Sequence, residues 1–285
     1  MDIRALVVGG TGGIGYAIAC RLAAASASST VIISGRNEPK NIPHTNMEFR
    51  PLDASSMRSI KKYTEKYKST QQPNLELLVL TQGILSTAGR TETPEGIDRK
   101  MALHYYGKQL FIRELTPVLT NDAKVLIVLD GAHGNPEKLY WDDLDLKTHF
   151  SLGNAAAHCL TLNDAMIQAY AKQQEGQGAS KRHFVHAHPG LVNTGLFESL
   201  PWYLRAGSKA LGQIFGISPD TSAENLLKGT FDVAAAGDKE GRSWSCIDGS
   251  GQLVNNKHIW TEEQLKKVTD HTWSIVDNAI GTASY

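Results

Sequence analysis

The sequence predicts an α/β fold in which helices cover both faces of a parallel sheet. Short β-branched runs alternate with longer amphipathic segments along the chain, which is the pattern of strand–helix–strand units. Residues 75–81 are almost all apolar, as a strand buried on both faces requires. The chain has 285 residues, of which 41% are hydrophobic, so we expect residues 1–285 to form one domain with a substantial core.

The first apolar run, residues 3–8, leads into a glycine-rich turn and then into an amphipathic helix. The turn reads Gly9-Gly10-Thr11-Gly12-Gly13-Ile14-Gly15. Glycines reach positive φ and let backbone amides approach a ligand, and the following helix offers its positive end to a pyrophosphate. A second β-rich run at residues 30–34 completes the unit that a dinucleotide fold needs. The turn therefore predicts a dinucleotide site, with an ordinary tight turn as the alternative.

Arg36 stands just after the second strand, where a dinucleotide fold meets the adenosine ribose. NAD-binding sites place a carboxylate there, whereas an arginine pairs with a 2′-phosphate through two hydrogen bonds. NADP(H) is therefore the expected cofactor, and a solvated surface arginine is the alternative. Asp53 and Ala54 follow a short strand at residues 47–52. Asp53 is a candidate acceptor for the adenine amino group or, equally, a helix cap.

Composition excludes several classes of partner. Lys plus Arg and Asp plus Glu both number 29, so the chain has no electrostatic footprint for nucleic acid or for an anionic membrane. No run approaches the roughly 18 apolar residues of a membrane span, and the first strand carries charges instead of a leader-like segment. The three cysteines form no close pair. We expect a cytoplasmic protein that acts on a small molecule.

These motifs resemble those of the short-chain dehydrogenases/reductases over roughly residues 3–250. The resemblance rests on the glycine turn, Arg36, Asp53, a Gln82-Gly83 turn after the fourth strand, and a PGxVxT motif after the sixth. The last motif consists of Pro189, Gly190, Val192 and Thr194. The glycine turn fits the TGxxxGxG form of this family and also the GxxGxxG form of its NmrA-like branch. The overall texture is similar to fungal members associated with secondary metabolism.

The resemblance implies a doubly wound, seven-stranded parallel Rossmann sheet, with the PGxVxT motif at the nicotinamide half of NADP(H). It also implies a substrate lid at residues 189–220 and, as is usual in the family, a homodimer or homotetramer. The lid is rich in leucine and aromatic residues, which favours a hydrophobic small-molecule substrate, although such residues also form oligomer interfaces. Residues 261–281 predict a C-terminal helix that opens with a capping box.

The family's catalytic Asn, Ser, Tyr and Lys are not found at the expected positions. None of the nine tyrosines has a lysine four residues later. By register, Phe150 and Asn154 occupy the tyrosine and lysine positions, Gly131 the serine position and His104 the asparagine position. Phenylalanine cannot donate a proton, whereas Asn154 can still hydrogen-bond a ribose.

Four residues are candidates for a substitute acid or base, because they lie near predicted strand ends or on the long helix predicted over residues 94–119. They are His104, Asp130, His133 and Tyr140. Each also has a structural interpretation, such as a satisfied helix histidine or a turn former. The histidines at 183, 186 and 188 are interpreted as structural, and no metal site is predicted.

Three functions remain open at this point. The first is an NADP(H)-dependent oxidoreductase of a hydrophobic carbonyl or alcohol with a substitute acid. The second is a non-redox cyclase, isomerase or dehydratase that keeps NADP as part of its pocket. The third is an NmrA-like nucleotide-sensing regulator, for which the apolar lid is not needed.

Overall fold

Seven parallel strands form a single sheet in the order β3-β2-β1-β4-β5-β6-β7. The computed structural model describes residues 2–70, 74–175, 181–194 and 216–281. The strands are β1 Arg4–Val8, β2 Thr30–Gly35, β3 Met47–Pro51, β4 Leu75–Leu80, β5 Leu119–Val128, β6 His183–Ala187 and β7 Trp244–Ile247. The predicted α/β fold class, a doubly wound seven-stranded parallel sheet, is confirmed.

Helices cover both faces of this sheet. One face carries α1 (Gly13–Ala25) and α6 (Pro219–Glu240), and the other carries α2 (Met57–Ser69), α4 (Gly107–Leu115), α5 (Leu152–Gln174) and α7 (Glu262–Gly281). The strand order reverses between β1 and β4. The segments that follow these two strands therefore lead to opposite faces of the sheet, and the crevice between them is where such folds bind ligands. Among the helices of the described ranges, none is long and apolar enough to cross a membrane.

The long helix predicted over residues 94–119 is wrong at both ends. The structure has α3 (Arg99–Met101), a π-helical segment (Ala102–Tyr106) and α4 in succession, followed by a 3-10 turn at Thr116–Val118. The helix begins at Arg99 because the Asp98 carboxylate accepts hydrogen bonds from the N–H groups of Lys100 and Met101, at 2.9 and 3.2 Å. Strand β5 starts at Leu119, the last residue of the predicted helix.

The C-terminal helix α7 belongs to the same body as the sheet. Its predicted capping box is confirmed, since Thr261 and Gln264 exchange hydrogen bonds of 3.1 and 3.2 Å. The helix packs on α5 and α2, and the Thr272 hydroxyl lies 2.5 Å from the buried Tyr105 hydroxyl. Of the predicted lid, only residues 189–194 and 216–220 are described, so its apolar residues from 196 to 215 lie outside the described part.

Candidate nucleotide-binding and catalytic site

A cleft of about 450 Å³ opens at the carboxyl ends of β1, β2 and β4. It brings together most of the residues predicted to bind a cofactor, although they come from five separate parts of the chain. Those in its lining are Gly9, Thr11, Gly12, Gly13, Ile14, Arg36, Asp53, Ala54, Gln82, Gly83 and Thr194. Pro189, Gly190, Val192 and Asn154 were predicted with them but contribute no surface to the cleft.

The glycine turn has the geometry of an anion cradle. Gly9 has a φ of +82°, and a Cβ there would lie 2.6 Å from the Thr81 hydroxyl oxygen, so only glycine fits. Gly12 is the N-cap of α1 and supplies no side-chain cap, which leaves the first N–H groups of the helix open towards the cleft. A Cβ built on Gly12 meets nothing within 4 Å. The turn therefore fits a pyrophosphate.

Gln82 presents a buried amide that has no hydrogen-bond partner among the described residues. Its side chain is only 6% exposed, and neither Oε1 nor Nε2 is paired. An unpaired buried amide costs about 1–3 kcal/mol, so native proteins rarely leave one without a partner. Because Gln82 lines the cleft, its amide fits a polar ligand there.

The end of the cleft at β2 and β3 combines an exposed cation with a shielded carboxylate. Arg36 is exposed and lines the cleft beside Asp53. Asp53 accepts from the N–H and the hydroxyl of Ser55, at 2.9 and 2.6 Å. Although burial opposes ionisation, these bonds hold the pKa of Asp53 below its usual value. The cap of α2 is Ser56, whose hydroxyl accepts from the Ser59 N–H, so Asp53 is not the N-cap residue.

The PGxVxT segment approaches the glycine turn from the opposite side. The Thr194 methyl would lie 3.4 Å from a Cβ built on Gly13, and Thr194 lines the cleft. Gly190 has a φ of +75°, which turns the chain after β6. Val192 is buried and pairs with Ile217 in an isolated parallel bridge. The motif therefore holds Thr194 in place while its own first residues stay behind the cleft surface.

His104 lies in the π-helical segment and holds the turn that follows β4. Its Nε2 accepts a hydrogen bond of 2.9 Å from the Ile84 N–H, and a Cβ on Gly83 would lie 3.1 Å from the same atom. Burial lowers the pKa of His104 to about 4, so the ring is neutral at neutral pH. Because Nε2 accepts from the backbone, the proton of the neutral ring is on Nδ1, and the contact with Ile84 positions the turn after β4.

Lys108 lies one helical turn after His104 and is fully buried beneath the ends of β4 and β5. Its Nζ donates to the carbonyl oxygens of Leu80 and Val128, at 2.7 and 3.2 Å. Burial lowers the pKa of Lys108 to about 7. Sequence analysis missed this residue, because the position of a lysine on a helix does not show which carbonyl groups its side chain will reach.

Two of the predicted catalytic residues, Asp130 and His133, meet at the carboxyl end of β5, and His188 joins them from the end of β6. The His133 Nδ1 lies 2.9 Å from both carboxylate oxygens of Asp130, and the His188 Nδ1 lies 3.0 Å from Oδ1. The two imidazole rings stand edge to face, with centroids 5.4 Å apart. We call these three residues the Asp130 cluster. Val128, two residues before Asp130, lines the cleft.

Charge within the Asp130 cluster is balanced by close contact. Burial opposes ionisation of Asp130, but its contacts with His188 and His133 hold its pKa well below the usual range. In return, the carboxylate raises the pKa of His188. Sequence analysis treated His188 as structural. The available signal was that β5 and β6 are consecutive strands, so that residues just after them meet at one sheet edge.

Tyr140 and Asn154 gather around His149 and do not line the cleft. The Tyr140 ring stacks on His149 with centroids 4.4 Å apart, and the Asn154 amide donates to the His149 carbonyl at 2.7 Å. The Phe150 ring faces the Lys100 ammonium at 5.2 Å. At the position assigned to the family serine, a Cβ on Gly131 would lie 2.0 Å from the His186 carbonyl oxygen. A serine does not fit there without movement of β6.

The fold and the cleft are those of a doubly wound α/β protein with a glycine turn that fits a phosphate group, and comparisons with known proteins show what the chain is similar to. Residues 4–129 match the family described as short chain dehydrogenase. The chain is 35% identical to an oxidoreductase of Emericella nidulans over 210 residues, which is 70% of this chain but only 61% of that protein. In sequence and in fold, this chain is therefore similar to the short-chain dehydrogenases/reductases.

A second relative and a solved structure extend this comparison. The polyprenol dehydrogenase of Homo sapiens is 29% identical over 240 residues, covering 78% of this chain and 70% of that protein. The NADPH-bound carbonyl reductase from chicken fatty liver is 18% identical and covers 91% of this chain and all of its own, with a TM-score of 0.62. At that identity the likeness concerns the fold.

Proposed function

We propose that this protein is an NADP(H)-dependent oxidoreductase that acts on the carbonyl or alcohol group of a hydrophobic small molecule. The observation that carries the proposal is the cleft itself, in which a glycine cradle, an exposed arginine and an unpaired buried amide line one continuous surface. In this assignment the first N–H groups of α1 bind the pyrophosphate and Arg36 binds the 2′-phosphate. The Gln82 amide pairs with the bound dinucleotide.

The nicotinamide supplies or accepts the hydride, and the protein supplies position and polar groups. Thr194 closes the cleft over the glycine turn, and His104 fixes the backbone after β4. Phe150 has no proton to donate, so the polar chemistry at the substrate oxygen falls to the Asp130 cluster, which stands next to the cleft wall. A hydrophobic substrate is supported by the apolar composition of residues 196–215 and by the name of the relative that acts on polyprenol.

Calorimetric titration with NADPH, NADP and NADH tests the cofactor assignment first. We expect NADPH and NADP to bind at least about tenfold more tightly than NADH, the effect of one well-placed phosphate contact. Absorbance of reduced nicotinamide is then followed with prenyl and other hydrophobic aldehydes and ketones. Loss of that band with product formation supports the proposal, and absence of NADP(H) binding overturns it.

A non-redox reaction on the same fold is the second candidate, and one observation favours it. At the positions that the predicted register assigns to the family serine and tyrosine, a Cβ on Gly131 would lie 2.0 Å from the His186 carbonyl oxygen and residue 150 is phenylalanine, as expected of a protein that does not use these two groups. This candidate predicts tight NADP binding and conversion of a substrate with no change in the nicotinamide band. The same titration and absorbance measurements therefore separate the two.

A further inference from the structure

The Asp130 cluster has the donor atoms of a mononuclear metal centre. It presents two imidazole nitrogens and one carboxylate, and one ligand atom from each residue lies within 4.8 Å of the other two. Zinc in catalytic sites takes three such protein ligands and keeps a fourth position for water or substrate. Two histidines with one carboxylate also suit other divalent transition metals.

The distances are close to those a metal requires. The Nδ1 atoms of His133 and His188 lie 2.9 and 3.0 Å from Asp130 Oδ1. Ligands at about 2.0–2.1 Å from a tetrahedral zinc are separated by roughly 3.3 Å, so each of these two nitrogens needs to move away from Oδ1 by only a few tenths of an ångström. Such movement lies within the freedom of side chains at a strand end.

His188 also lies close to the Asp130 carboxylate. Its Nδ1 is 3.0 Å from Oδ1, and the two groups form an ion pair when the imidazole is protonated. Because metal ligands must be deprotonated, a metal ion bound here would replace that proton between the two atoms. The Ala132 N–H donates to Asp130 Oδ1 at 3.1 Å and so orients the carboxylate, as outer-shell contacts do in metal sites.

Access and charge distinguish this cluster from the other His/Asp group of the fold. Asp164, His186 and Cys246 also lie close together, but all three are buried and the Lys257 ammonium already occupies the second oxygen of Asp164. In the Asp130 cluster the His133 side chain is 68% exposed, which gives an ion a path from solvent. No lysine or arginine of the described residues forms an ion pair with Asp130.

We propose that Asp130, His133 and His188 bind a divalent transition metal ion, with Zn²⁺ as the preferred species, and leave one coordination position open towards the substrate. Such an ion supplies Lewis acidity for a substrate oxygen, the role for which residue 150 has no hydroxyl. This catalytic role rests on the proposed function, whereas the binding of the ion does not.

The test uses the untagged full chain after treatment with a chelator. Zn²⁺ is titrated by calorimetry, and Co²⁺ is added as a spectroscopic probe, because tetrahedral nitrogen and oxygen ligands give it visible d–d absorption. We expect one ion per chain. His133→Ala and His188→Ala should each weaken binding by at least about tenfold and change the Co²⁺ spectrum.

His149→Ala is the matched control. His149 forms the same kind of contact, with Nδ1 at 2.9 Å from Asp143 Oδ2, but no second imidazole among the described residues forms an ion pair with that carboxylate. This variant should bind Zn²⁺ and Co²⁺ as the wild type does. Equal binding by wild type and by the double variant His133→Ala/His188→Ala overturns the proposal, as does binding that is lost only in Cys246→Ser.

NADPH affinity is measured on each variant to keep the two proposals apart. Variants that bind NADPH normally are folded, so their loss of metal is a property of the cluster. NADPH binding without metal binding leaves the proposed function intact and overturns this inference. Metal binding without NADPH binding leaves this inference intact and overturns the proposed function.

Discussion

The two ends of the candidate site are built in different ways. At the glycine turn the polar groups of the cleft are backbone amides, held by Gly9, which tolerates no side chain, and by the start of α1. At the ends of β5 and β6 the polar groups are side chains from three separate positions. Backbone sites constrain the sequence tightly because a Cβ enters either the protein or the space beside the amides, whereas side-chain sites allow one set of residues to be exchanged for another. The first end is therefore recognisable from sequence and the second is not.

The largest expected effect breaks the backbone end. Gly9→Ala should lower the free energy of unfolding by about 3 kcal/mol, because it forces a side chain into positive φ and against Thr81. Gly12→Ala is the matched variant, since its Cβ meets no protein atom. It should unfold like the wild type in urea yet lose NADPH affinity, because the methyl enters the space assigned to the pyrophosphate. Equal stability of the two variants contradicts the steric argument.

The next effect separates the side-chain end from the backbone end. His188→Ala should reduce turnover of a reducible substrate by about 100-fold, or roughly 2.7 kcal/mol of transition-state stabilisation. Its dissociation constant for NADPH should remain within about threefold of wild type, as expected of a residue outside the cleft lining. Steady-state kinetics and calorimetry check both values. A parallel loss of cofactor binding would show that the two ends are not independent.

A smaller effect tests the cofactor preference of the backbone end. Arg36→Ala should weaken NADP binding more than NAD binding by at least ~1.4 kcal/mol, a factor of ten. Arg50→Ala is the control, because Arg50 forms a two-point ion pair with Glu48 and does not line the cleft. Calorimetric titrations with NADP and NAD compare the variants. Equal losses for both cofactors in Arg36→Ala would contradict the assignment.

The smallest effect concerns Lys108, which joins the two ends through Leu80 and Val128. Its pKa is about 7 in the folded protein, below its usual value of 10.5. Between these values the unfolded chain binds more protons, so this residue makes the folded protein more stable as pH rises and destabilises it most below pH 7. The stability of wild type relative to Lys108→Met should therefore rise by about 1 kcal/mol per pH unit above 7. Urea unfolding at several pH values measures it, and parallel curves would contradict it.

The parts of the fold that were predicted correctly depend on local rules. The alternation of strands and helices, the glycine turn and the capping box of α7 each follow from periodicity or from residues close in sequence, whereas the number of strands was implied by the family resemblance. The helix predicted over residues 94–119 begins instead at Arg99, because the Asp98 carboxylate caps it there. Periodicity alone does not show such a cap.

The side-chain end depends on contacts that no local rule contains. Asp130 and His133 were predicted separately, but their meeting with His188 requires the pairing of β5 with β6. Tyr140 and Asn154 were expected at the site, and their contacts with His149 arise from the path of residues 140–154. The placement of Phe150 and Asn154 at the positions of the family's catalytic tyrosine and lysine stays a prediction.

The close approach of Gly131 to the His186 carbonyl limits how this protein can change over generations. The substitution Gly131→Ser introduces a side chain for which there is no space, because its Cβ would overlap the β6 backbone. A serine side chain fits at position 131 only if β6 shifts as well. Two changes in the protein are therefore required in place of a single substitution. The contact with β6 therefore disfavours a side chain at position 131, whereas substitutions at the residues after β5 and β6 do not meet this restriction.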